Sequence, residues 1–191
     1  MSAPRIGIVG ATGAVGAVTL QLLAERGQGD VRAFASGRSA GKRLTYGDGN
    51  LVVEEATPEA LSAGDLDICL FSVGTSASRE LVPHVVRGGG VAIDKSAAFR
   101  LTDGVPLVVP EANRNRAHEH DGIVANPKCS TIQLVCALKP LHEAAGLTRV
   151  RLATYQSASG AGLQSMERLR ALAPSDGNVT MDWEFEGDES E

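Results

Sequence analysis

A short apolar run that stops at closely spaced glycines and opens into a second apolar segment can be built into very few architectures, and this chain begins that way. Ile6-Gly7-Ile8-Val9-Gly10 leads into Ala11-Thr12-Gly13-Ala14-Val15-Gly16. Next comes Ala17–Gly27, with Val18, Leu22 and Leu23 at helical spacing, and then Val31–Ala35. The order strand, glycine turn, helix, strand is a βαβ opening. Gly10, Gly13 and Gly16 stand directly after the strand and open the helix. That context lets the backbone turn, approach a pyrophosphate and set a helix N-terminus beneath its charge.

The rest of the chain repeats the alternation. Short β-like runs recur at Leu51–Val53, Ile68–Phe71, Val91–Ile93, Leu107–Val109 and Ile123–Val124, with a helix expected over Ala77–Val86. Strands alternating with helices predict an α/β fold, a doubly wound, mainly parallel Rossmann-type sheet. The character changes near Asn126-Pro127. Residues 1–127 read as the dinucleotide-binding domain and 128–173 as the start of a second, incomplete α+β domain. In that second part VRLATYQSASGAG reads as an extended strand running into a small-residue loop, and Leu163–Ala173 as a helix. Residues 174–191 form an acidic tail in which Met181, Trp183 and Phe185 alternate like a strand edge, although composition alone favours a solvated end.

Charge divides unevenly. The net −5 splits into +2 for Met1–Ala173 and −7 for the tail. A near-neutral body offers no clustered basic face for DNA or RNA. No apolar run approaches the roughly 20 residues of a membrane span, and the N-terminus lacks a signal-peptide pattern, so a cytoplasmic chain is expected. Three cysteines without paired short spacings indicate neither disulfides nor zinc. Cys69 and Cys136 lie in apolar runs and are expected in the core. His118 and His120, in NRNRAHEHDG, lack the two-His helical spacing of a zinc site and read as surface.

Two local features point to chemistry. After the second strand, where a chain preferring NAD usually carries an acid about 20 residues beyond the glycines, Ala35-Ser36-Gly37-Arg38-Ser39 has none. Arg38 can neutralise a ribose 2′-phosphate and Ser39 can hydrogen-bond it, so NADP is the expected cofactor. Further on, Asn126-Pro127-Lys128-Cys129-Ser130-Thr131 separates a short strand from an apolar helix. Cys129 then stands at a helix N-terminus beside a lysine, surroundings that favour a nucleophilic thiolate. A dinucleotide site with such a thiol suggests aldehyde oxidation or acyl reduction through a thioester.

In this order GIVGATGAVG, Arg38-Ser39, SVGTSASRELVP, DKSAAFR, VPLVVPEAN, NPKCST and TYQSASGAG closely resemble aspartate-semialdehyde dehydrogenase, over Arg5 to Met166. The resemblance implies NADPH-dependent reduction of β-aspartyl phosphate to aspartate semialdehyde and phosphate, a step towards lysine, threonine and methionine. It implies Cys129 as the nucleophile, Gln156 as the residue positioning the acyl group, and Arg100 as a phosphate ligand. Gly10, Ala11, Thr12, Gly13, Val15, Gly16, Arg38, Ser39, Ser72, Gly74, Ser159 and Gly160 would lie along the cofactor, and a small-molecule substrate and a possible homodimer follow. Lys128 departs from the family, which has Asn there; it could attract phosphate or occupy the phosphate site itself. The family continues through a substrate and dimerisation domain that supplies a catalytic His, which none of this chain's histidines matches. The expectation is therefore an N-terminal portion that binds NADP more readily than it turns over substrate. A non-catalytic NADP-binding paralogue is the alternative. N-acetyl-glutamyl-phosphate reductase, which shares the reaction logic, fits the NPKCST, DKSAAFR and YQSASGAG segments less well.

Overall fold

The computed structural model describes residues 3–158 and 163–172. Ser159, Gly160 and the acidic tail, including the Met181, Trp183 and Phe185 alternation, lie outside the described residues. The chain divides into two compact units, Met1–Arg151 and Leu152–Glu191.

The first unit is built on one seven-stranded sheet. In chain order its strands are β1 (Ile6–Val9), β2 (Val31–Ala35), β3 (Arg43–Tyr46), β4 (Gly49–Glu55), β5 (Ile68–Phe71), β6 (Val91–Asp94) and β7 (Ile123–Ala125). Its helices are α1 (Ala14–Glu25), α2 (Pro58–Leu61), α3 (Thr75–Arg87), α4 (Pro110–Asn113) and α5 (Cys129–Ala145). Across the sheet the order is β3-β4-β2-β1-β5-β6-β7, and every pairing is parallel except the β3/β4 hairpin. That hairpin closes through Gly47-Asp48, where Gly47 has φ +54, the left-handed conformation that tight hairpin turns demand. Strand β3 was not expected from the sequence; its Arg43, Leu44, Thr45 and Tyr46 alternate between exposed and half-buried.

Central β1 is buried along its whole length, as expected of a parallel strand covered on both faces. Successive side chains separate to the two faces. Ile6, Ile8, Ala33 and Ala35 join Leu20 of α1 and Val53 in one core. Val9, Phe34, Cys69 and Phe71 join Leu61, Val82 and Val85 of α2 and α3 in the other. Phe34 and Phe71 are fully buried, each contributing about 1.5–3 kcal/mol of transfer free energy. The doubly wound reading therefore holds, and its mechanism is two cores on one sheet.

On α1 the buried positions are Gly16 and Leu20, while Val18 and Leu22 are exposed. Three local expectations need correction. Leu107–Val109 is not a strand: between Pro106 and Pro110 only Leu107 makes a bridge, to Ala125. Cys69 is buried, but Cys136 is only partly so, because no residue of α5 is fully buried. The strand expected from Val150 is not formed among the described residues, where Val150, Leu152 and Tyr155 are exposed.

In the second unit the described regular element is α6 (Leu163–Leu172). Among the described residues no helix is long and apolar enough to cross a membrane.

Candidate functional site

In a parallel sheet the loops that leave the C-terminal ends of the strands share one edge, and ligands gather where strand order reverses. Here the reversal falls at β1, which pairs with β2 on one side and β5 on the other. The turn after β1 is packed directly against the one after β5. Gly10 has φ +88, and a Cβ there would stand 2.4 Å from the Ser72 carbonyl oxygen. Gly16 is equally constrained, since its Cβ would meet the Gly10 oxygen at 2.2 Å and Ala11 Cα at 2.7 Å. Gly13 differs: a Cβ there meets only the Gly10 oxygen, at 3.3 Å. Gly10 and Gly16 are thus required by packing, whereas the space beside Gly13 is open to a ligand.

Gly13 is also the N-cap of α1 and provides no capping side chain, so the first-turn amides are offered outward. A backbone cradle of this kind, with a helix end beneath it, fits a pyrophosphate. Ala11 is buried beneath the turn, while Thr12 and Val15 are exposed along it. Ser72 follows β5, its amide donating to the Val9 carbonyl (2.9 Å), and Gly74 caps α3 with open space around it.

Arg38 and Ser39 lie in the turn after β2, with Arg38 exposed and the Ser39 amide donating to the Ser36 carbonyl (2.8 Å). The sequence reading found no acid here, yet the sheet supplies one from β4: a Cβ on Gly37 would lie 2.6 Å from Glu55 Oε1. Nothing local in the sequence announces that approach, because it arises from the pairing of Ala35 with Glu55.

At the other end of the edge stands the thiol. Cys129 is the first residue of α5 and is exposed, and Lys128, its N-cap, makes no capping hydrogen bond. From β2 to β7 is four inter-strand steps of about 4.8 Å, about 19 Å in all, so the Arg38 turn and Cys129 mark opposite ends of one row. Between them, after β6, comes Lys95, which the sequence reading did not single out. Burial lowers its pKa, and negative charge on Cys129 raises it in return; the two groups are within electrostatic reach. Arg100 uses Nε to donate to the Asn126 carbonyl (3.0 Å) and Nη2 to donate to the Lys95 carbonyl (2.7 Å). Beneath this loop the Asp94 carboxylate, fully buried, accepts from Ser78 Oγ (2.9 Å), Ser96 Oγ (2.6 Å) and the Ser96 amide (3.1 Å).

Gln156 belongs to the second unit, where its Nε2 donates to Thr154 Oγ1 (3.1 Å). Among the described residues no cluster of His, Cys, Asp or Glu could hold a metal. His120 accepts from the Gly122 amide through Nδ1 (2.9 Å).

Comparison with known proteins gives a consistent outcome. Residues 5–120 match the family described as semialdehyde dehydrogenase, NAD binding domain, and residues 138–183 match the semialdehyde dehydrogenase dimerisation domain. The chain is similar to an aspartate-semialdehyde dehydrogenase of Bacillus subtilis, 45% identical over 167 residues, covering 86% of this chain and 48% of that protein. One from Corynebacterium glutamicum is 40% identical over 188 residues, covering 95% and 54%. Among solved structures, aspartate semialdehyde dehydrogenase II of Vibrio cholerae complexed with ASA superposes with a TM-score of 0.84 at 37% identity, covering 91% of this chain and 52% of that one. The Candida albicans enzyme solved with NADP superposes with a TM-score of 0.63 at 27% identity, covering 75% and 48%. The chain spans about half the length of the curated relatives it matches.

Proposed function

This chain belongs to the semialdehyde dehydrogenase family, and from that premise we propose that it carries the dinucleotide site and the thiol of an aspartate-semialdehyde dehydrogenase. The reaction is reduction of β-aspartyl phosphate to aspartate semialdehyde and phosphate. The observation that carries the reading is the exposed Cys129 at the head of α5, on the same sheet edge as the glycine cradle.

Cys129 acts as thiolate on the acyl carbon. The carbon–sulfur bond forms as the acyl–oxygen bond breaks, and phosphate leaves with that electron pair. The first-turn amides of α5 face the developing oxyanion. Arg100, through N–H groups not given to backbone carbonyls, and Lys128 attract the phosphate group. The reduced dinucleotide, when bound, supplies the hydride that turns the thioester into aldehyde and releases the thiolate.

The backbone cradle of Gly10, Ala11, Thr12, Gly13, Val15 and Gly16 holds the pyrophosphate, with Ser72 and Gly74 towards the nicotinamide. Exposed Arg38, with Ser39, favours NADP over NAD by meeting the 2′-phosphate, although Glu55 stands near. The dimerisation-domain match supports a homodimer. A cytoplasmic setting suits the redox demands of a free thiol.

The test is phosphate-dependent NADP reduction with aspartate semialdehyde, comparing the chain with Cys129→Ala. Activity lost in the variant is the expected outcome. No activity in either protein, with NADPH binding intact, would replace this reading with that of a cofactor-binding module.

A further inference from the structure

The last ladder contact between β6 and β7 is the Asn126 amide donating to the Asp94 carbonyl (2.8 Å). Beyond it the two segments run on, one into Lys95–Arg100 and the other into Pro127-Lys128-Cys129, and among the described residues no strand pairing joins them. Arg100 spans the gap. Its two donated hydrogen bonds go to the carbonyls of the first residue after each strand, Lys95 and Asn126. Neither bond is to a carboxylate, and Nη1 makes no hydrogen bond among the described residues.

Both abutments of this bridge are themselves fixed. On the β6 side, buried Asp94 ties Ser96 to Ser78 of α3, and Ser96 Oγ in turn accepts from the Ala98 amide (3.0 Å). On the β7 side, Asn126 Nδ2 donates to the Val108 carbonyl (3.0 Å). Cys129 follows three residues later, past buried Pro127. A planar guanidinium can present N–H groups on two different nitrogens to two separated acceptors at once; a lysine ammonium is a single point on a flexible stem and cannot.

We propose that Arg100 is a positioning residue: by bridging the Lys95 and Asn126 carbonyls it fixes the backbone that presents the Cys129 thiol, a role separate from any anion it binds. The proposal concerns the same thiol as the reaction above but needs neither substrate nor dinucleotide, so an inactive chain leaves it standing.

The experiment is alkylation of the 191-residue chain by iodoacetamide in phosphate-free buffer, with the Cys129 peptide followed by mass spectrometry. Cys69 is fully buried, with its thiol pushed up to about 12 by desolvation, and serves as a built-in reporter of folding. Arg100→Ala and Arg100→Lys are both expected to slow Cys129 labelling about fivefold, the equivalent of one net hydrogen bond. Added ethylguanidinium is expected to restore most of the rate in Arg100→Ala, whereas ethylammonium does not. If Arg100→Ala exposes Cys69 to label, Arg100→Lys carries the test. Unchanged labelling, with only the effect of added phosphate lost, would overturn the proposal and leave Arg100 an anion ligand alone. Slowing that ethylguanidinium fails to reverse would overturn it too. So would Cys69 labelling in both variants, which would make Arg100 a determinant of the whole fold.

Discussion

Where the strands begin, arginines stand on acids; where the strands end, they do not. Arg5, just before β1, donates to Asp67 through its backbone amide (2.8 Å), Nε (3.2 Å) and Nη2 (2.7 Å). Arg32, early in β2, meets both Glu54 and Asp65 and lies over the Phe34 ring. Along the opposite edge Arg38, Lys95, Arg100 and Lys128 make no ion pair among the described residues. Asp94, the buried acid there among the described residues, is held by hydroxyls and an amide. The difference teaches where the fold settles its own electrostatics and where it leaves charge for something else. A row of cations that form no ion pairs concentrates field towards an anionic ligand, and a phosphorylated substrate and a dinucleotide are both anionic.

The contrast is tested hardest at the glycines, because two of them serve packing and one serves the edge. Gly10→Ala forces a side chain into a left-handed backbone and against the Ser72 carbonyl, and Gly16→Ala drives a Cβ into the Gly10 carbonyl. Gly10→Ala is expected to cost about 3–4 kcal/mol, combining backbone strain with overpacking, and Gly16→Ala about 1–3 kcal/mol from overpacking alone. Gly13→Ala meets only one atom, at 3.3 Å, and should change stability by less than about 1 kcal/mol while weakening NADPH binding. Urea midpoints and NADPH fluorescence titrations of the three variants separate the roles. Intact binding in Gly13→Ala would show that the pyrophosphate does not approach there.

A smaller effect sharpens the cation side. Removing Arg38 should weaken NADPH by about tenfold, the worth of a charge-assisted hydrogen bond, and leave NADH unchanged. Equal losses for both dinucleotides would move Arg38 away from the 2′-phosphate. The nearby Glu55 would then become the residue to examine for the choice between the two.

The readable parts of the chain were those whose cause is local. Gly10, Gly13 and Gly16 announce a turn because the glycines, the strand before them and the helix after them are contiguous, and the Cys129 helix start was equally plain from NPKCST. Arg100 was legible as a cation and not as a bridge, since its acceptors lie five residues before it and 26 after it and meet only when β6 and β7 pair. Ser78 and Asp94 look like a surface hydroxyl and a surface acid until α3 packs over β6. The strand expected from Val150 has no partner among the described residues, and alternation licenses a strand only where a neighbour pairs with it.

The smallest expected effect belongs to the end of the sheet where charges are matched, and it has a definite sign. Asp67 is held down to about 2, chiefly by the hydrogen bond from the Arg5 side chain and next by the Arg5 amide. A carboxyl whose folded pKa lies below its unfolded value of about 3.9 contributes stability above that value. The contribution fades as pH falls through about 2. Because both side chains are largely exposed, solvent screens the pair and the contribution is modest. Asp67→Asn should therefore melt slightly below the parent at pH 7, and the gap should close as pH falls from about 4 to about 2. Melting curves across that range check it. A gap that stays constant would mean that the Asp67 carboxylate is not linked to folding, and that the matched charges at this end of the sheet are no more used by the fold than the unmatched ones at the other.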